Sequence, residues 1–398
     1  MILPHDRLIA DWLADGPRQG PTEPLARALA ATRRTRKRPR WAFPERWLPM
    51  QLTMRRPVPS RAFLYLALVG VLIAALVAVV VLQAGTTPIP APLRATNGLI
   101  AVDTASKLYV ADPDGSNPRP LAQFGTNANS PMFSPDGSKV AYLSTNDVGQ
   151  LHVFVANADG SDPVRVSAEP FDSGRNKFPP KWSPDGTQLV HYARDNGIWV
   201  MAADGSSQQR IAEGWSVAWS PDGQWIAFRS DGSPEALLRV IHPDGSGIRT
   251  LATADPNSDA FASLGWTADS ARVVFHRPAQ GVASVDLDAV EVPLAPGGLY
   301  PTVSPDGRYV AFTEEAEEGE LVKLVELATG RISTLGPGGC AANWAPDSSA
   351  VVTYADGCFQ HLQIIPLDDP SAAVVIDLPI GTVGFPAWQP VPAPADSD

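Results

Sequence analysis

From Asn97 onward, apolar residues come in short runs of four to six, broken by residues that turn a chain. The words "FSPDGSKVAY" (Phe133 to Tyr142), "WSPDGTQLVH" (from Trp182), "WSPDGQWIAF" (from Trp219) and "VSPDGRYVAF" (from Val303) share one plan. An aromatic or apolar residue ends one run, Ser-Pro-Asp-Gly follows, and a second apolar run begins. Proline pre-sets φ, Asp bonds the backbone beyond it, and Gly accepts a positive φ, so each word predicts strand, tight turn, strand. A second word lies between them: "LYVADPDGSNPRPL", "VFVANADGSDPVRV", "WVMAADGSSQQRI" and "RVIHPDGSGIRTL", with looser copies "LVELATGRISTL" and "LQIIPLDDPSAAVVI". Each is again a hairpin, so one unit holds four strands.

The recurring Asp stands at Asp136, Asp185, Asp222, Asp269, Asp306 and Asp347, at gaps of 49, 37, 47, 37 and 41 residues. Four short strands repeating about every 40 residues predict the blades of a β-propeller. Two copies are degraded. Ala268 replaces the proline in "WTADSARVVF", and Ser270 and Ser348 replace the glycine there and in "WAPDSSAVVT". The ends are half-units: "GLIAV" from Gly98 lacks a first strand, and "VGFPAWQP" (Val383 to Pro390) lacks a second. Together they complete one blade and close the ring, which removes its open edge. The fold class is therefore all-β, a seven-bladed propeller closed by a C-terminal strand. Six blades is the alternative, if the weak unit around Val282 to Leu294 is distorted.

Upstream the pattern changes. Ala62 to Leu82 is 21 residues without a charge, long enough as a helix to cross a bilayer of about 30 Å. Residues 1–61 carry 13 Lys/Arg against 5 Asp/Glu, while the remainder carries a net −19, within a total of −11. The run "RRTRKRPR" (Arg33 to Arg40) keeps its side in the cytoplasm. The expected layout is a basic cytoplasmic segment with two short helices (1–61), a single transmembrane helix (62–83), a Pro-rich linker (84–97), an extracytoplasmic propeller (98–390) and a disordered tail (391–398). The acidic balance excludes general nucleic-acid binding.

The repeated SPDG words followed by VAF-type strands resemble those of TolB-like propellers, periplasmic proteins of the bacterial envelope, over residues 98–390. The resemblance implies the fold and a binding role. Similar repeats precede the hydrolase of prolyl oligopeptidase-like enzymes, but no G-x-S-x-G nucleophile turn accompanies them here. The short segment before one span is similar in layout to membrane anti-sigma factors, without their His and Cys zinc pattern.

Candidate chemistry is sparse. Six equivalent carboxylates spread round a ring cannot form one acid–base pair, so the repeated Asp residues are read as structural turns. His152, His191, His242, His276 and His361 are scattered, and "DPNSD" (Asp255 to Asp259) lacks the later ligands of a calcium loop; no metal or cofactor is expected. Nor is enzyme activity. Cys340 and Cys358 flank one hairpin and are expected to pair outside the cytoplasm. The uniform turns share one face, so the irregular loops "AEPFDSGRNKFPP", "TADPNSDAFA" and "EEAEEGE" mark the other as the binding surface. Arg175, Lys177, Phe178, Asp255 and Phe261 are the candidate contacts for a protein, peptide or glycan of the cell envelope. The alternative is a transmembrane sensor signalling through residues 1–60 to a cytoplasmic partner.

Overall fold

The computed structural model describes residues 95–392, apart from 105–106, 122–127, 147, 171–178, 194, 233, 318, 356–360, 377 and 379–383. The N-terminal helical patterns and the apolar stretch 62–82 lie outside the described residues. In chain order the first strands are β1 (Ala95–Asp103), β2 (Leu108–Ala111) and β3 (Arg119–Pro120). Blade 2 is β4 (Asn129–Phe133), β5 (Lys139–Thr145), β6 (Leu151–Asn157) and β7 (Val164–Arg165). Blade 3 is β8 (Lys181–Trp182), β9 (Gln188–Tyr192), β10 (Gly197–Ala202) and β11 (Gln208–Glu213). Blade 4 is β12 (Trp215–Trp219), β13 (Ile226–Asp231), β14 (Ala236–Ile241) and β15 (Arg249–Ala254). Blade 5 is β16 (Leu264–Trp266), β17 (Arg272–Arg277), β18 (Gly281–Asp286) and β19 (Glu291–Ala295). Blade 6 is β20 (Leu299–Val303), β21 (Tyr309–Ala316), β22 (Gly319–Glu326) and β23 (Ile332–Pro337). Blade 7 is β24 (Gly339–Trp344), β25 (Ala350–Tyr354), β26 (Leu362–Pro366) and β27 (Val374–Ile376).

The last strand, β28 (Ala387–Pro392), pairs antiparallel with β1 and makes the sheet β28-β1-β2-β3. Seven four-stranded sheets result, and the six-bladed alternative falls away. The unit around Val282 forms a complete four-stranded blade, with Val282 to Val285 paired across β18 and β19 and one register shift between Val282 and Ala283. Pairing of β1 with β28 runs from Ala95 to Pro392, so the strands reach a few residues beyond the expected linker and tail boundaries.

The first strand of each blade is innermost, and these seven touch one another in a closed ring. Their aromatic residues join the blades. Trp182 Nε1 donates to Met132 O at 2.9 Å, Trp219 to Lys181 O at 3.2 Å, Trp266 to Ala218 O at 3.1 Å and Trp344 to Thr302 O at 3.1 Å. Each ring fills an apolar seam and its one polar atom finds the neighbouring blade's carbonyl, so burial leaves nothing unpaired.

The SPDG turn is also explained locally. The hydroxyl of Ser134, Ser183, Ser220, Thr267 or Ser304 donates to Oδ1 of the Asp two residues on, at 2.5 to 2.6 Å. The same Oδ1 accepts the amide two residues further along at 3.0 Å in these five turns, as Asp347 Oδ1 does at 2.9 Å. Burial raises the Asp136 and Asp185 carboxyls, but these hydroxyl and amide donors outweigh it and hold both below their usual range. The carboxylates are committed to the turn. Gly137, Gly186, Gly223 and Gly307 sit at φ 69° to 71°, and Ser270 and Ser348 take the same region at 59° and 63°.

Candidate functional site

Where β13 leaves the core, Arg229 is 3% exposed. Its guanidinium spans the next connection. Nη1 donates to Ser258 O at 2.8 Å and Ala260 O at 2.6 Å, Nη2 to Pro256 O at 3.0 Å, and Nε to Asp231 Oδ1 at 2.8 Å. Trp215 lies under it, 4.7 Å from ring centroid to Cζ, and gives its own Nε1–H to Asp231 Oδ2 at 2.8 Å. A planar fork of fixed donors can hold three carbonyls of one loop at once; an ammonium cannot.

The loop so held carries "DPNSDAFA". Asp255 is exposed; its Oδ1 accepts the Asn257 amide at 2.8 Å, and its carbonyl accepts the Ser258 hydroxyl at 2.7 Å. Asp259 is exposed and stands 3.6 Å from His276 Nε2. His276 Nδ1 lies 2.8 Å from Gly298 O, a pure acceptor, so Nδ1 carries the proton. Nearby Tyr300 is 42% exposed at φ 51°. Burial first, then the charges of Asp259 and Glu320, raise its hydroxyl pKa. Glu320 is itself raised, by burial and then by Glu315. Blades 4 to 6 therefore bring exposed carboxylates and a phenol to one loop face, with the buried imidazole of His276 beneath Asp259. No cluster of three or more metal-type side chains exists among the described residues.

A second concavity, about 530 Å³, runs between blades 3 and 4. Ile211, Trp215, Leu237, Ile241 and Ile248 line it, with Arg239 among them.

Of the candidate contacts, Asp255 sits on this face. Phe261 does not face a partner: it is fully buried, at φ 63°, with its ring 5.1 Å from Phe275. The loop turns left-handed there and folds the ring into the core. Arg175, Lys177 and Phe178 lie outside the described residues, as do Cys358 and the side chain of Cys340. Sequence reasoning missed Arg229 and Tyr300, took His276 only as one of the scattered histidines, and reached Glu320 only as the end of the "EEAEEGE" loop. With the copies in register, the position after each VAF word holds Leu143, Tyr192, Arg229, His276, Thr313 and Tyr354. The departure from apolar type at Arg229 and His276 was the available signal.

Residues 100–294 match the family of the TolB beta propeller domain. The Tol-Pal system protein TolB of Alcanivorax borkumensis is 36% identical over 84 residues, 21% of this chain and 18% of that protein. The chain's matches span from 18% to 62% of the length of the curated relatives. Among solved structures, an oligogalacturonate lyase of Vibrio parahaemolyticus superposes with a TM-score of 0.53 at 13% identity, covering 71% of this chain and 86% of that one. A puromycin-hydrolyzing peptidase of Mycobacterium tuberculosis gives 0.50 at 17% identity, covering 72% and 54%. These neighbours correct the expectation that enzyme activity is absent: the same architecture occurs in a lyase and a peptidase, so the fold is no argument against catalysis. Seven sheets and terminal closure make residues 95–392 a β-propeller, and the match over residues 100–294 makes it TolB-like.

Proposed function

We propose that the chain is a membrane-tethered interaction module whose propeller stands outside the cytoplasm and docks a basic segment of a protein partner. The observation that carries this reading is the Arg229 clamp. A nearly buried guanidinium is spent on backbone carbonyls of residues 256–260, which orders the loop that carries Asp255 and Asp259, and the charges of Asp259 and Glu320 both act on Tyr300. Pre-ordered loops lose little freedom on binding, and fixed carboxylates select and steer a cationic partner. The uncharged stretch 62–82, with its basic N-terminal flank, supports the tether.

The test uses the full chain in detergent or nanodiscs against a panel of Lys/Arg-rich and Asp/Glu-rich peptides. Basic peptides bind, more weakly as salt rises, and Asp255→Asn with Glu320→Gln lowers the affinity several-fold. Equal binding by wild type and double variant would sink the docking surface. Topology has its own readout. Val148, 77% exposed, replaced by Cys on a cysteine-free background, is labelled in intact cells by a membrane-impermeant maleimide. Labelling only after lysis refutes the extracytoplasmic placement.

A further inference from the structure

The connection from blade 3 to blade 4 is the single residue Gly214, between Glu213 at the end of β11 and Trp215 at the start of β12. The next connection runs from Asp255 to Ser263 and plugs its own seam: Ala260 and Phe261 are fully buried there, in one cluster with Leu238 and Val240. One glycine can supply no such plug. The concavity of about 530 Å³ between blades 3 and 4 lies where the plug is missing.

Strand alternation decides what lines it. On β14, Leu238 and Val240 face blade 5, so Leu237, Arg239 and Ile241 face blade 3. Leu237 and Arg239 are only half-buried on that side. Arg239 is the one cation in the lining among the described residues. Its Nε donates to Thr250 Oγ1 at 3.3 Å, and no ion pair engages it. Both terminal nitrogens remain for a carboxylate, which a guanidinium takes bidentately. Around Arg239 the lining is aliphatic, with Ile211, Leu237, Ile241 and Ile248.

The far end is acidic, with Glu213 and Asp231. Asp231 pairs across the sheet with Ala236, three residues before Arg239, so roughly 10 Å of strand separates the two levels. Asp231 already bonds Arg229 and Trp215. Glu213 uses only Oε1, on Arg210, and its side chain is 77% exposed. A ligand that complements this lining has a carboxylate at one end, an amine at the other and aliphatic groups between. A purely anionic ligand meets repulsion from the two carboxylates.

We propose that the seam between blades 3 and 4 binds a short apolar peptide of about three residues in extended form, its C-terminal carboxylate on Arg239 and its N-terminal amine at Glu213. The site is separate from the carboxylates of the loop face, and it takes free chain ends rather than basic side chains. Either reading can therefore fail alone.

Calorimetry on the full chain in nanodiscs, corrected for empty discs, uses trileucine as the probe. Trileucine binds, and its affinity falls at least about tenfold for its C-terminal amide and in Arg239→Gln. It falls several-fold for the N-acetyl form and in Glu213→Gln. Asp255→Asn with Glu320→Gln leaves it unchanged. The amide and acetyl probes act on wild-type protein, so the outcome does not hang on the folding of a variant. No trileucine binding, equal affinity for trileucine and either capped form, or equal affinity in wild type and Arg239→Gln overturns the proposal. So does decanoate binding more tightly than trileucine, which would make the seam a site for a lipid-like monocarboxylate.

Discussion

Replacing Arg229 by Lys keeps one positive charge and most of the stem but removes the fork. The wild-type guanidinium is 4% exposed and makes three bonds to loop carbonyls besides the one to Asp231. A single ammonium cannot reach carbonyls of residues 256, 258 and 260 together. Each charge-assisted bond is worth about 1.5 to 3 kcal/mol. The sum overstates the loss, because the freed carbonyls of a surface loop can turn to water. Breaking a buried charged network costs about 3 to 5 kcal/mol, and rehydration places Arg229→Lys near the lower end, about 3 kcal/mol. Urea unfolding of the full chain measures the total. Hydrogen exchange locates it: the Phe261 amide, bonded to His276 O, exchanges faster, while amides in the β5–β6 ladder do not. A variant within about 0.5 kcal/mol of wild type, with unchanged exchange at Phe261, refutes the claim that this arginine holds the loop.

Three further outcomes are expected. Burial holds His191 at about 4, below its ordinary 6.5, so the unfolded chain takes up a proton between those values while the folded one does not. That stability is complete above pH 6.5 and falls on acidification toward 4, by on the order of 3 kcal/mol; unfolding midpoints at pH 7 and 5 should differ in wild type and much less in His191→Gln. Ser220→Ala strips the Trp225 amide of its acceptor at 2.9 Å and Asp222 of its hydroxyl donor, costing about 1 to 3 kcal/mol; blade 7 naturally has Ala345 there, and Ala345→Ser should raise the melting temperature. Trp266→Phe keeps most of the ring and loses the bond to Ala218 O, for about 1 kcal/mol, against about 3 to 5 for Trp266→Ala; equal losses in the two variants would show that the bond adds nothing to the packing.

The blades were legible because their chemistry is local. Ser, Pro, Asp and Gly act within six residues of one another, and alternation names the buried face, so six copies and two half-copies suffice to count seven. The site was not legible for the converse reason. Arg229 acts on carbonyls 27 to 31 residues away, and a carbonyl has no side-chain signature in a sequence. Phe261 misled because it sits in a polar stretch, where an aromatic reads as exposed. Its left-handed φ, invisible in the sequence, returns it to Phe275.

The degraded turns carry the last structural lesson. Ser270 and Ser348 look like decay of a glycine, and a non-glycine residue at positive φ costs about 1 kcal/mol or more. Each also gains a bond across a blade seam: the Asp222 amide donates to Ser270 Oγ at 3.0 Å, and the Asp306 amide to Ser348 Oγ at 3.0 Å. The Asp347 amide donates to Asn97 Oδ1 at 3.3 Å, where the chain ends meet. At the remaining seams close approach takes over. Gly186 and Gly223 lie over Pro135 and Pro184, a Cβ on Gly307 would fall 2.5 Å from that of Ala268, and Gly137 lies against Pro390 O while its own carbonyl accepts Gln389 Nε2 at 2.8 Å. All seven seams are thus secured at the turn face, either by contact or by a hydrogen bond, and a turn that cannot pack against its neighbour bonds to it. With the ring held there, the opposite loops are free of that duty. Their length and charge can follow a ligand, and the clamp of Arg229 orders one of them without any repeat to copy.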